Sequence, residues 1–193
     1  RRMFVGGVPA IINRISFTGE LGYEIYVAPH YQLKLYEELM EAGKEFNIKP
    51  FGGRALMSMR LEKNWGAWTL DYRPDFTAKE TGLDAFINWD KEFIGKESAQ
   101  KENSSNKLVP LIVETNEIDV TNNEAVLNGD QSIGYVTSGG FAHFVNKSVA
   151  FTFVDQKNIK SENKIQVEIN GDLFNCSIIK EPLYDPSGQK MRS

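Results

Sequence analysis

The second half of the chain is built from short β-rich runs separated by tight-turn signals, and this pattern constrains the fold most. Asn-Gly-Asp occurs at 128–130 and again at 170–172. Asn-Gly marks a hairpin because both residues tolerate the positive φ angles that tight hairpin turns require. Around these turns lie the β-branched and aromatic runs LVPLIVE, SIGYVTSG, SVAFTFV and KIQVEINGDLFNCSIIKEPL. Strands at this spacing predict a small sandwich or barrel over residues 107–193.

Residues 1–100 have a mixed pattern. Residues 13–27 predict two strands around the turn Thr18-Gly19-Glu20. Helical spacing of apolar residues follows in PHYQLKLYEELMEAGKEF and in GRALMSMRLEKN. Residues 65–82 are predicted to be irregular, FINWD to be strand-like, and the chain to become helical near Gly95. The polar run KESAQKENSSN, residues 96–106, is predicted to link the two halves. The expected fold class is α+β.

Composition excludes several classes of protein. The 193 residues are 41% hydrophobic and 25% charged, which is ordinary for a globular protein. The net charge of −4 and the lack of a long Lys/Arg cluster argue against nucleic-acid binding. No apolar run approaches the length of a membrane span. The single cysteine, Cys176, excludes an internal disulfide and favours a reducing compartment. We expect Cys176 to be a buried structural thiol rather than a nucleophile.

Other motifs predict little chemistry. His30 and His143 have no partner at metal-ligand spacing, so no metal site is expected. Ser138-Gly139-Gly140 is either a weak phosphate-loop match or a turn between strands. The opening RRMFVGGVPAIINRISF has neither an initiator Met nor a signal-peptide pattern, so we interpret the chain as a piece of a longer protein.

The stretch ISFTGELGYEIYV contains the best candidate for a ligand-binding acid, Glu24. The alternative is a solvated strand residue. The two-residue period of a strand places Glu24 on the face of Tyr26 and not on that of Tyr23 and Ile25. Arg54 lies at the predicted start of a helix, where it is able to pair with a strand carboxylate in a functional or a structural ion pair.

Four segments resemble, in order, those of the folate-binding aminomethyltransferase family, which includes the glycine cleavage T-protein. They are RISFTGELGYEIYV, FGGRALMSMRLEKN, GLDAFINWDKEFIGKESA and IGYVTSGGFAHFVNKSVAFTFV. RLEKNWGAWTLDYRPDFT and KEPLYDPSGQKMRS resemble the aminomethyltransferase-like half of dimethylglycine and sarcosine dehydrogenases. The resemblance implies that residues 1–100 are part of a folate-binding domain and that residues 107–193 form its C-terminal β-barrel domain.

The resemblance also implies an activity. It is one-carbon transfer from an N-methyl amine of the dimethylglycine or sarcosine type to tetrahydrofolate. A flavin domain of the same polypeptide, holding FAD, would oxidise the amine first. The alternatives are a glycine cleavage T-protein, a folate-dependent demethylase, and a non-catalytic regulatory or interaction protein with this fold. The expected partners are the methylamine, folate and the flavin domain, with no nucleic acid and no membrane. The expected compartment is the bacterial cytoplasm, or the mitochondrial matrix in a eukaryote.

The family resemblance assigns roles to individual residues. Glu24 corresponds to the glutamate that contacts the pterin, where one carboxylate accepts from an exocyclic amine and a ring N–H. Arg54 corresponds to a substrate-contacting arginine that holds Glu24 or a folate carboxylate. Phe17 is a ring-stacking residue or a core aromatic, and Tyr23 and Trp65 have the same two interpretations.

Two further expectations concern residues beyond this set. Thr137 and Ser138 are expected to line the central opening from the barrel side. Glu20 is expected to stabilise the turn. The catalytic residue of the family is an Asp in the N-terminal half of its fold, which we expect to lie outside this chain.

Overall fold

The computed structural model describes residues 1–115, 117–159 and 164–192. The first part of the chain is a small lobe in which a three-stranded sheet is followed by helices and irregular segments. The second part is a closed six-stranded β-barrel. The α+β class and the order of lobe and barrel are both confirmed.

The sheet of the lobe is antiparallel, with β1 (Arg2–Val5), β2 (Val8–Arg14) and β3 (Tyr23–Tyr26) in sequence order. The segment between β2 and β3 is longer than the predicted turn, because Ile15 to Phe17 leave the strand. The hydroxyl of Ser16 accepts a hydrogen bond from the backbone N–H of Gly19 at 3.0 Å. Such local bonds offer the backbone an alternative to strand pairing.

The two predicted helices are confirmed. A 3-10 turn, Pro29–Tyr31, leads into α1 (Gln32–Ala42), which ends at Gly43. The second helix, α2, spans Gly53–Glu62. On the sheet, alternate residues of β2 are buried and exposed: Val8 and Ala10 are buried, whereas Pro9 and Ile11 are exposed. The sheet therefore has one covered face and one open face.

Residues 65–105 contain only short elements. They are α3 (Ala78–Thr81), a 3-10 turn over Leu83–Phe86, and α4 (Lys96–Lys101). The helix predicted near Gly95 is confirmed as α4, which lies inside the run predicted as a linker. The strand-like prediction for residues 86–90 is wrong. There the side chain of Asn88 accepts from the N–H of Asp90 at 3.0 Å, which turns the backbone instead of extending it.

The barrel closes in the strand order β4-β7-β6-β5-β8-β9. Its strands are β4 (Asn106–Val113), β5 (Ala125–Asn128), β6 (Gln131–Ala142), β7 (Lys147–Asp155), β8 (Ile165–Ile169) and β9 (Asp172–Ile178). Gly129 and Gly171 have positive φ angles of 60° and 92°, so both Asn-Gly hairpins are confirmed. Of the two predicted architectures, the barrel is the one observed.

Two apolar clusters stabilise the barrel and its junction with the lobe. The interior is filled mainly by Val, Leu and Ile side chains such as Leu111, Val136 and Val167. A second cluster lies outside the barrel wall, where Leu61 of α2 packs with Val149 and Phe151 of β7. Strand β7 is therefore buried on both faces. Helix α2 docks the lobe on β6 and β7 of the barrel, and α3 adds contacts with β4. Within the described ranges, no helix is long and apolar enough to cross a membrane.

Candidate functional site

Glu24 lies on the open face of the lobe sheet. In the antiparallel register Asn13 is opposite Glu24 and Ile11 is opposite Tyr26. The predicted sharing of a face by Glu24 and Tyr26 is confirmed, because the Tyr26 hydroxyl donates to Glu24 Oε2. That hydrogen bond, together with the negative charge of Glu24, raises the pKa of Tyr26 above its usual value. Glu24 Oε1 accepts no hydrogen bond from any residue that the structure describes. Half of this exposed carboxylate is therefore available to a ligand.

A groove of about 610 Å³ runs along the same face. It is lined chiefly by β1 and β2, with Phe4, Pro9 and Ile11 supplying its apolar floor, and Tyr26 closes the end next to Glu24. Phe4 is 71% exposed, which is unusual for a large apolar side chain on a sheet. Glu24 does not itself line the groove, but it is hydrogen-bonded to Tyr26, which does. An apolar surface with a carboxylate beside it suits a flat ring with hydrogen-bond donors on one edge.

The other predicted site residues do not gather around Glu24. Tyr23 lies on the opposite face of β3, because successive strand residues alternate, and it is exposed. Phe17 is half-buried in the segment before β3. Trp65 is half-buried after α2, where its backbone carbonyl accepts from Arg60 Nη1 at 3.1 Å. Tyr26, which was not among the predicted site residues, is the residue whose side chain is hydrogen-bonded to Glu24 in the described part of the chain.

Arg54 is exposed in the first turn of α2. Over the described ranges it forms no ion pair, so the pairing of Arg54 with Glu24 that the sequence suggested is not present. Gly52 and Gly53 precede Arg54, and a Cβ added to either of them would lie within 4 Å of no described atom outside the neighbouring residues and the backbone of α2. The space around these two glycines is therefore open. The guanidinium and the N–H groups that begin α2 share this open region, which favours an anionic group there.

A buried cluster of polar side chains joins the lobe to the barrel, and the sequence did not predict it. We call Arg60, Asp71, Thr137 and Ser138 the Asp71 cluster. The Asp71 carboxylate accepts from Arg60 Nη1 at 2.8 Å, from the N–H of Ala67 at 2.8 Å and from both barrel hydroxyls. All four side chains of the cluster are buried. Burial lowers the pKa of the Arg60 guanidinium, and the charge of Asp71 opposes that change. A buried charge pair persists only when it is well hydrogen-bonded. The Asp71 carboxylate meets this condition, whereas Arg60 Nε is buried with no hydrogen-bond partner among the described residues.

A β-bulge brings the two barrel hydroxyls to Asp71. The register of β6 against β7 shifts between Val136 and Ser138, so Thr137 is an extra residue in the strand. Neighbouring residues of a regular strand point to opposite faces, but here both hydroxyls donate to Asp71 Oδ1, Thr137 at 2.5 Å and Ser138 at 2.8 Å. The expectation that Thr137 and Ser138 line a central opening is thus corrected. Both interpretations of Ser138-Gly139-Gly140, as phosphate loop or as turn, are wrong because these residues lie inside β6.

Two further contacts join α2 to the barrel. Ser58 Oγ donates to the carbonyl of Phe141 at 2.6 Å, and Glu62 Oε1 accepts from the N–H of Phe144 at 2.6 Å. No spacing in the sequence relates α2 to residues 137–144, which is why this junction was missed. The available signal was a group of three charged residues around Leu61 at the end of the helix, Arg60, Glu62 and Lys63, all of which are buried.

Across residues 1–115, 117–159 and 164–192, no three His, Cys, Asp or Glu side chains come together in a way that could hold a metal ion. Cys176 is half-buried, and burial raises the pKa of its thiol to about 12. At neutral pH this thiol is protonated and is a poor nucleophile.

The lobe and the barrel together define a class of protein, the folate-type aminomethyltransferase fold. Residues 1–91 match the GCVT N-terminal domain, and residues 106–185 match the glycine cleavage T-protein C-terminal barrel domain. The solved aminomethyltransferase T of the glycine cleavage system from Bartonella henselae superposes with a TM-score of 0.80. It is 24% identical and the match covers 91% of this chain and 50% of that one, so this likeness concerns the fold alone.

The chain belongs to the glycine cleavage T-protein family. Dimethylglycine dehydrogenase, mitochondrial, of Mus musculus is 35% identical over 184 residues, covering 93% of this chain and 21% of that protein. The aminomethyltransferase of Thermoanaerobacter pseudethanolicus is 30% identical over 190 residues, covering 96% of this chain and 51% of that protein. The chain therefore spans about half the length of the aminomethyltransferase and about a fifth of the dehydrogenase.

Proposed function

We propose that this chain supplies part of the tetrahydrofolate site of an enzyme that transfers a one-carbon unit from an N-methyl amine. The amine is of the dimethylglycine or sarcosine type, and the chain acts as the folate half of a flavin-dependent amine dehydrogenase. The observation that carries the proposal is the exposed Glu24 carboxylate, with one oxygen held by Tyr26, a residue that lines an apolar groove on the same sheet face, and the other oxygen open.

The chemistry of a pterin fits these residues. Its amino-pyrimidinone edge presents two N–H donors side by side. A carboxylate is able to accept hydrogen bonds from both of them together. The ring would lie over the apolar floor formed by Phe4, Pro9 and Ile11. Arg54 and the open start of α2 would hold an anionic part of folate, with Phe17, Tyr23 and Trp65 as further candidate ring contacts.

Bound tetrahydrofolate supplies a nucleophilic nitrogen that accepts the one-carbon unit. The residues of this chain bind and orient it: Glu24 fixes the pterin edge, and Tyr26 fixes Glu24. From the family resemblance, we expect the Asp that assists proton transfer to lie outside this chain, and the FAD as well. Both are proposed to come from other parts of the same polypeptide.

A second candidate function is a glycine cleavage aminomethyltransferase or a folate-dependent demethylase. It is favoured by the 30% identity to an aminomethyltransferase over 96% of the chain. A non-catalytic regulatory or interaction protein with this fold is the third. The first candidate places the protein in the bacterial cytoplasm or, as for the mitochondrial dehydrogenases, in the mitochondrial matrix.

The test is calorimetric titration of the full-length protein with tetrahydrofolate, comparing the wild type with Glu24→Gln. We expect the substitution to cost about 1.5–3 kcal/mol of binding, the value of a charged hydrogen-bond partner. Glu168→Gln, at an exposed strand position of the barrel, is the matched control and should bind as the wild type does. A wild type that binds no folate refutes the proposal. Equal binding by wild type and Glu24→Gln would support folate as the ligand but would exclude Glu24 as a residue that binds it.

The three candidates are separated by product analysis of the full-length protein. Formation of 5,10-methylenetetrahydrofolate from dimethylglycine or sarcosine supports the dehydrogenase. Formation only from an aminomethyl group on a carrier supports the T-protein. Folate binding without turnover of the methylamines or of the carrier-bound aminomethyl group supports the non-catalytic protein.

A further inference from the structure

The last part of the chain leaves the barrel and returns to the lobe. We call residues 183–192 the C-terminal strap. After β9 ends at Ile178, the N–H of Tyr184 donates to the carbonyl of Glu62 at 3.0 Å. Further on, Arg14 Nη2 donates to the carbonyl of Met191 at 3.2 Å. The strap thus contacts the end of α2 and the end of β2.

Lys63 fixes the path of the strap. This ammonium is only 3% exposed, at the residue that caps α2. Lys63 Nζ donates to the backbone carbonyls of Tyr184 and Asp185 and lies 3.3 Å from Asp185 Oδ2. The same carboxylate accepts from the N–H groups of Gln189 and Lys190, each at 3.1 Å. A buried ammonium requires such partners, so Lys63 and the strap conformation depend on each other.

The segment before Glu24 is held between Lys63 and the strap. Gly19 is buried with a φ of 87°, and a Cβ there would lie 2.9 Å from Lys63 Cδ and 3.4 Å from the Tyr184 ring. The next residue, Glu20, accepts a hydrogen bond from the Tyr184 hydroxyl. The backbone at residues 18–20 is therefore packed against both the Lys63 side chain and the strap.

The contact between the strap and residues 18–20 is linked to Glu24 through a short hydrogen-bonded turn. The segment is closed by a bond from the N–H of Ile15 to the carbonyl of Gly22 at 3.2 Å. Tyr23 and Glu24 follow directly and pair with Arg14 and Asn13. The strap binds Arg14 before the segment and Glu20 within it, so it fixes both sides of the turn that sets where β3 begins.

We propose that the C-terminal strap positions the folate-binding glutamate, with Lys63 as a positioning residue that acts through Glu24. This inference rests on the proposed function. In this arrangement, residues more than 160 positions apart in the chain, Glu20 and Tyr184, together determine the geometry of the pterin site. Loosening the strap would displace the Glu24 carboxylate and weaken folate binding while the barrel remains folded.

The test is a double-mutant cycle for tetrahydrofolate affinity, measured by calorimetry on the full-length protein. The four proteins are wild type, Lys63→Met, Glu24→Ala and the double variant. We expect Lys63→Met to weaken binding about tenfold in the wild type, equivalent to about 1.4 kcal/mol. In the Glu24→Ala background it should have no further effect, since a displaced carboxylate matters only when it is present. Lys63→Arg should recover part of the affinity, and Lys180→Met, at an exposed lysine, should change nothing.

A merely structural strap gives a different result. In that case Lys63→Met weakens folate binding equally in both backgrounds, or lowers only the melting temperature, and the inference is overturned. If Lys63→Met does not fold, Tyr184→Phe replaces it in the cycle, because it removes only the hydroxyl that donates to Glu20. A wild type that binds no folate overturns the proposed function and this inference together. Normal binding by the wild type and by Lys63→Met overturns the inference alone.

Discussion

Arg60 Nη1 lies 2.8 Å from Asp71 Oδ2, and the two side chains are 1% and 0% exposed. This ion pair is the centre of the junction between the lobe and the barrel, because Thr137 and Ser138 of β6 donate to the same carboxylate. Partners from three separate parts of the chain therefore meet at one buried acid. This junction, as part of the family fold, explains why the α+β lobe and the β-barrel are joined.

Replacement of Asp71 by Asn should be strongly destabilising. It leaves the Arg60 guanidinium buried without a counter-charge, which costs about 3–5 kcal/mol. Urea unfolding followed by circular dichroism measures the change. Asp75→Asn is the matched control: the Asp75 carboxylate is exposed, so its ion pair with the half-buried Arg73 should be worth no more than about 1 kcal/mol. Equal losses in the two variants would contradict the role assigned to Asp71.

Ser138→Ala should cost about 1–3 kcal/mol of unfolding free energy, because the variant removes one of the donors to a buried carboxylate. Ser138 Oγ lies 2.8 Å and 2.7 Å from the two carboxylate oxygens of Asp71. Ser132→Ala tests the same chemical change at an exposed position of the same strand and should be within about 0.5 kcal/mol of the wild type. If both serine variants unfold at the same urea concentration, the bulge has no energetic importance.

The stabilisation by Glu80 should depend on pH. Partial burial raises the pKa of Glu80, but hydrogen bonds from Ser104 and Thr77 outweigh burial and hold it below its usual value of 4.5. Because the folded pKa is depressed, the stabilisation is present above pH 4.5 and is lost as the pH falls through the folded pKa. We expect the stability gap between wild type and Glu80→Gln to narrow from pH 7 towards pH 3. A gap that widens on acidification would reverse the sign and refute the assignment.

Cys176 should be unreactive in the folded protein. With a pKa raised to about 12 by burial, only about one thiol in ten thousand is ionised at pH 8. A chromogenic disulfide reagent should therefore react much more slowly with the native protein than with the same protein in urea. Rapid labelling under native conditions would show that the strand carrying Cys176 opens readily or that its thiol is not shielded.

The sequence predicted those features that depend on neighbouring residues. The Asn-Gly hairpins, α1 and α2 follow from local φ preferences and from apolar spacing, and the two-residue period placed Glu24 with Tyr26. The family resemblance supplied the order of lobe and barrel. The φ preferences and the apolar spacing lie within a few residues of the features that they predict. They can therefore be recognised in the sequence without the tertiary structure.

What the sequence did not predict depends on pairs far apart in the chain. No sequence pattern around Asp71 or Ser138 indicates that the two residues are in contact. The bulge that turns Thr137 towards Asp71 arises only when β6 pairs with β7. The strand-like prediction at residues 86–90 was wrong because a local Asn88 turn prevailed over the apolar pattern. The domain limits at residues 100 and 107, and the binding roles of Glu24, Arg54, Phe17, Tyr23 and Trp65, stay predictions.

The separation between Asp71 and Ser138 also has a consequence for how the polypeptide is made. Ser138 follows Asp71 by 67 residues, which a ribosome needs about 3 to 13 s to add at typical synthesis rates. During that interval the Asp71 carboxylate has no hydroxyl donors, and Leu61 has no barrel wall to pack against. The Asp71 carboxylate of the nascent lobe therefore lacks these donors until β6 emerges, and Leu61 stays uncovered until β7 follows. A translation product that stops before this strand is a natural substrate for chaperones and proteases.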